Sequence, residues 1–141
     1  MYSVSMIYDD IVSLMYTYSD VLTVDIIGRS EFGQAIPIMT IENKEVNNMK
    51  KPVLLVGNLH AREFFSSKFV MKFTNQFLLS LSNSNCVYKD AYRFLEEYVF
   101  YIVPLANPDG LKIAQEDWKG IEEHRDAINK IKRIGPFSDW K

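Results

Sequence analysis

Two short apolar runs, Val53-Leu54-Leu55-Val56 and Val99-Phe100-Tyr101-Ile102-Val103, flank a stretch of helical periodicity, and this constrains the fold more than any other feature. Runs of this kind, with no polar alternation, are what strands buried on both faces look like. Between them, from about Glu63 to Leu81, Phe65, Phe69, Phe73 and Phe77 recur at i+4, with Val70, Leu78 and Leu81 beside them. That spacing predicts a long helix with one broad apolar stripe, its aromatic rings packed in the core. Asn83-Ser84-Asn85 should break it, and Ala91 to Tyr98 suits another helix. A strand–helix–strand order implies a right-handed crossover, so the two strands should run parallel.

Upstream, Ile7, Ile11, Leu14, Met15 and Tyr18 mark an amphipathic helix over 7–18. Thr23 to Gly28 and Ala35 to Glu42 read as strands joined by a hairpin turn at Ser30-Glu31-Phe32-Gly33-Gln34, with Gly33 free to take positive φ. Pro37 argues that the second of these strands lies at an edge or a bulge. Asn43 to Lys51 is a polar loop. The expected fold class is α/β: a mixed sheet with an N-terminal hairpin and parallel central strands, flanked by helices.

Composition narrows the function. With 141 residues the chain suits one domain, and a net charge of −2 gives no broad electrostatic argument for a nucleic acid or membrane partner. Cys86, the only cysteine, excludes a disulfide framework or a cysteine-cluster zinc site and reads as a small apolar filler. No segment reaches the ~18–20 apolar residues of a membrane span. No Lys or Arg precedes Arg29, so no secretory signal is legible, and a cytoplasmic setting is the default expectation.

In parallel sheets, ligands sit beyond the carboxyl ends of the strands. Two polar clusters directly follow those ends: Gly57-Asn58-Leu59-His60-Ala61-Arg62-Glu63 and Asn107-Pro108-Asp109-Gly110. Both are therefore expected on one rim. His60 and Glu63 stand at i, i+3 where a strand turns into a helix, a spacing that lets an imidazole and a carboxylate reach one metal ion. Such a set suits zinc with a third protein ligand and an open position for water. The same spacing also describes a surface histidine beside a glutamate favoured by a helix N-terminus. Asn-Pro-Asp-Gly reads as a tight turn. His124, in the helix-like stretch Ile121 to Ile128, is expected in a connecting segment and not as a ligand, and Lys130, Lys132 and Arg133 form a solvated face.

Taken together, the G-x-x-H-x-R-E box at 57–63 and the N-P-D-G box at 107–110 resemble the hallmarks of the zinc carboxypeptidase family. Ile27-Gly28-Arg29-Ser30-Glu31-Phe32-Gly33 is similar to its I-G-x-S-x-x-G hairpin, and Tyr8-Asp9 to its opening before a helix. The resemblance implies a partial phosphorylase/hydrolase-like zinc peptidase fold, with residues 1–141 forming the N-terminal portion of one catalytic domain. It implies His60 and Glu63 as the first two ligands of one Zn2+ and Arg62 in the substrate subsite. Trp140-Lys141 resembles the pair of bacterial members that cleave cell-wall peptides at γ-D-glutamyl-diamino acid bonds, which would put Lys141 near the cation that polarises the scissile carbonyl. The family's third ligand, substrate-carboxylate arginine, tyrosine lid and glutamate base fall beyond Lys141. The expectation is thus a zinc metallopeptidase acting on peptides, incomplete and weakly active or inactive as it stands. The alternative is a non-catalytic fragment that binds a peptide or partner. A sheet cut midway should also leave an open edge prone to self-association.

Overall fold

The computed structural model describes residues 2–82, 91–116 and His124. Helix α1 (Val4–Thr17) is opened by Ser3, whose hydroxyl accepts from the Met6 N–H at 3.2 Å. It starts earlier than the sequence suggested, so Tyr8 and Asp9 lie within it and not before it. The Tyr8 hydroxyl donates to the Ala35 carbonyl at 2.7 Å, tying the helix to the sheet. Strands β1 (Leu22–Arg29) and β2 (Ala35–Ile41) form the predicted hairpin, closed by the Ser30 N–H to Gln34 carbonyl bond, with Gly33 at φ +76°. Strand β3 (Lys51–Val56), helix α2 (Phe64–Ser82), helix α3 (Ala91–Glu97), strand β4 (Tyr98–Val103) and helix α4 (Pro108–Glu116) follow.

The sheet order is β1-β2-β4-β3, with β3 and β4 parallel as expected and the other pairs antiparallel. Register decides which side chains meet. Val24, Met39, Ile102 and Leu55 are successive cross-strand partners and form one row against the core. Ile7, Ile11 and Leu14 of α1, Val70, Met71, Phe77 and Leu78 of α2, Leu95 of α3 and Leu111 of α4 all pack into that same core. The neighbouring row, Thr23, Thr40, Tyr101 and Leu54, points to the other face and stays outside it.

Two expectations are corrected here. First, β3 is not buried on both faces: it pairs only with β4 among the described residues, and Leu54 is 63% exposed. Pro52, which lacks a donor, fits an edge position. Second, the phenylalanine row of α2 is not one core stripe, since Phe65 and Phe69 are 70% and 65% exposed while Phe77 is buried against Phe100. Four residues turn a helix by one revolution plus about 40°, so three i+4 steps carry the row through roughly 120°. The stripe that faces inward is Ser67, Val70, Met71, Thr74, Phe77 and Leu78. The Pro37 expectation holds in its bulge form: β2 is interior in the sheet order, and Pro37 sits opposite the register shift between Ile26 and Gly28, outside the stretch that pairs with β4. The Asn83–Asn85 break and Cys86 lie outside the described residues.

Candidate metal centre

The two polar clusters meet where β3 and β4 end. The Gly57 N–H donates to the Val103 carbonyl at 2.8 Å, and the Ala106 N–H returns to the Gly57 carbonyl at 3.0 Å. Asn107 Nδ2 reaches the Leu59 carbonyl at 3.4 Å. Gly57 is needed for this approach: a Cβ there would stand 2.7 Å from the Pro104 oxygen and 3.1 Å from the Ser67 Cα.

On this rim His60 Nδ1 and Glu63 Oε1 lie 2.8 Å apart, each side chain about half exposed (52% and 53%). Glu63 immediately precedes the first residue of α2, and its N–H bonds to the His60 carbonyl at 3.0 Å. The two donors that the sequence singled out therefore converge instead of diverging. An imidazole nitrogen and a carboxylate oxygen, accessible and side by side, are a donor set that fits a zinc ion as two of its ligands. No group of three or more His, Cys, Asp or Glu able to hold a metal occurs among the described residues. Arg62 is exposed on the same turn. His124 stacks on Phe32, with ring centroids 3.9 Å apart and planes within 5°, so its ring packs on the hairpin turn. Trp140 and Lys141 lie outside the described residues.

Asn-Pro-Asp-Gly is a helix start and not a free-standing turn. Asn107 Oδ1 accepts from the Gly110 N–H at 2.9 Å, Pro108 opens α4, and a Cβ at Gly110 would collide with the Asn107 side chain at 2.5 Å. Asp109 points back to the hairpin, accepting from Ser30 Oγ at 2.7 Å and the Phe32 N–H at 3.0 Å. The Ser30 hydroxyl also receives the Gln34 N–H at 3.0 Å. Burial holds the Tyr8 hydroxyl above its ordinary pKa, and the Asp109 carboxylate adds to this while Arg29 opposes it. Sequence reasoning missed the Ser30–Asp109 tie because the partners are 79 residues apart. It also passed over Asn58, whose signal was a residue tolerant of positive φ just after a strand (φ +51°).

Fold and rim together define an α/β protein with an open mixed sheet and an imidazole–carboxylate pair at the carboxyl ends of its parallel strands. A family model described as zinc carboxypeptidase matches residues 7–133, and the chain belongs to that family. It is 27% identical over 132 residues to carboxypeptidase B of Astacus astacus, covering 91% of this chain and 40% of that protein. Among solved structures it is similar to thrombin activatable fibrinolysis inhibitor (TM-score 0.72, 24% identity, 82% of this chain and 27% of that one). It is also similar to a metallo-carboxypeptidase from Burkholderia cenocepacia (TM-score 0.67, 20% identity, 93% of this chain and 39% of that one). The fold is thus a carboxypeptidase fold, and the chain spans less than half the length of these relatives.

Proposed function

We propose that the chain is the N-terminal part of the catalytic domain of a zinc metallopeptidase, with His60 and Glu63 as two protein ligands of one zinc ion. The observation that carries this reading is the 2.8 Å approach of His60 Nδ1 to Glu63 Oε1 at the carboxyl rim. When bound there, zinc would act as a Lewis acid on a peptide carbonyl and make its bound water a better nucleophile. The protein's share is positional. Asn107 and Gly57 hold the two rim loops together, and the His60–Glu63 turn presents both donors to solvent, where a peptide can reach them. Arg62, one residue from Glu63, supplies a fixed positive charge for a substrate oxygen. The likeness of Trp140-Lys141 to the pair of bacterial members supports cell-wall peptides as the substrate class, with Lys141 near the cation that would polarise the scissile carbonyl.

A second reading is favoured by the open sheet face: a non-catalytic module that binds a peptide or partner, or a second copy of itself, along β3. Leu54 and Val56 are both exposed on that strand.

Zinc content by elemental analysis after equilibrium dialysis, for the native chain, His60→Ala and Glu63→Gln, tests the metal assignment. Zinc should fall in both variants. Equal zinc in all three samples overturns the assignment and leaves the binding module as the better account.

A further inference from the structure

Two residues behind the His60–Glu63 turn, Asn58 and Ser66, grip its backbone. Asn58 is fully buried and adopts φ +51°, a conformation that a side chain with a Cβ rarely takes. Its Nδ2 donates to the His60 carbonyl at 3.1 Å, the same oxygen that receives the Glu63 N–H at 3.0 Å. Its own backbone N–H donates to Ser66 Oγ at 2.7 Å. The Ser66 hydroxyl in turn donates to the Glu63 carbonyl at 2.5 Å, and the Ser66 N–H bonds to that carbonyl at 3.0 Å. Each backbone is thus gripped by one side chain, His60 by Asn58 and Glu63 by Ser66, and the Asn58 backbone N–H joins the two through the Ser66 hydroxyl. Asn58 Oδ1 is buried with no hydrogen-bond partner among the described residues. A buried amide left half-satisfied in a left-handed backbone costs stability, and such costs cluster where function requires the geometry.

We infer that Asn58 and Ser66 are positioning residues that hold the backbones of His60 and Glu63 so that their donor atoms converge on one metal ion. This rests on the zinc reading above. Groups behind the ligands set how much ordering is needed on metal binding, and their loss typically weakens binding ~10–100-fold. Asn58→Gly is the informative change, because glycine accepts the positive φ while the amide is removed. Ser66→Ala removes the hydroxyl, and Ser66→Thr keeps it.

The experiment measures zinc dissociation constants of the intact chain by competition with a chromophoric chelator, with melting temperatures recorded beside them. Wild type, Asn58→Gly, Ser66→Ala, Ser66→Thr and His60→Ala are compared. Asn58→Gly and Ser66→Ala should each weaken zinc binding by about tenfold or more, while Ser66→Thr restores it. A merely structural role would lower the melting temperature and leave the dissociation constant of the folded chain unchanged, and that result overturns the inference. If Asn58→Gly does not fold, the Ser66→Ala and Ser66→Thr pair decides by the same criterion. His60→Ala separates the two levels. Zinc binding lost there but intact in the Asn58 and Ser66 variants refutes positioning alone, whereas wild-type binding by His60→Ala removes the metal reading beneath it.

Discussion

Asp109→Ala should be among the most damaging single changes in this chain, although Asp109 belongs to neither the apolar core nor the His60–Glu63 pair. Asp109 is buried as a residue (8% exposed), and its carboxylate accepts from Ser30 Oγ at 2.7 Å and the Phe32 N–H at 3.0 Å. Hydrogen bonds to a charged group contribute about 1.5–3 kcal/mol each in net terms. Asp109 also sits in the first turn of α4, where a negative charge adds roughly 0.3–1 kcal/mol through the helix dipole. Ser30 and Phe32 are partly accessible, so water would recover some of the loss, and we expect a net destabilisation of about 3–4 kcal/mol. Against a typical domain stability of about 5–15 kcal/mol this is a large fraction. Urea unfolding followed by circular dichroism measures it directly. Ser30→Ala and the double variant complete a cycle, and the coupling between the two positions should be about 1–2 kcal/mol. Asp109→Ala within about 0.5 kcal/mol of wild type, or strict additivity with Ser30→Ala, would refute the argument that this carboxylate fastens the hairpin to the rim.

Gly57→Ala places a Cβ 2.7 Å from the Pro104 oxygen and should cost about 1–3 kcal/mol; an unchanged thermal melt would count against the close approach. Leu54→Lys changes a side chain that is 63% exposed, so stability should stay within about 0.5 kcal/mol while sedimentation velocity shows less self-association than wild type. The Tyr2 and Tyr8 hydroxyls are both held above their ordinary pKa, chiefly by burial. The folded state therefore keeps these protons where the unfolded state releases them, and stability should be intact below about pH 10 and fall as pH rises beyond it. Tyr2→Phe and Tyr8→Phe should flatten that alkaline decline in urea unfolding, and an unaltered slope would remove the linkage.

Most of the local structure was legible. The hairpin followed from Gly33 between two β-rich runs, and the parallel pairing of β3 with β4 followed from the long amphipathic segment between them. The His60–Glu63 approach was also legible, because three residues across a helix start span one turn whatever surrounds them. Coverage was harder to read. Val53 to Val56 looks buried by composition, yet burial needs a neighbour on each edge and a layer on each face, and the described residues supply only β4 and one layer of helices. The phenylalanine row misled for a related reason: its i+4 interval is regular, but it drifts around the helix and leaves the core face.

The sequence by itself determined the elements, their order and the placement of both polar clusters at one rim, since each of these depends on residues close together along the chain or on the handedness of a crossover. Tertiary structure alone decided which faces are covered, that Asp109 fastens a hairpin 79 residues away, and that Asn58 and Ser66 hydrogen-bond to the His60 and Glu63 carbonyls. The physical reason is range. Periodicity and turn chemistry act over a few residues, whereas burial and hydrogen bonds between distant segments exist only once the chain has brought those segments together.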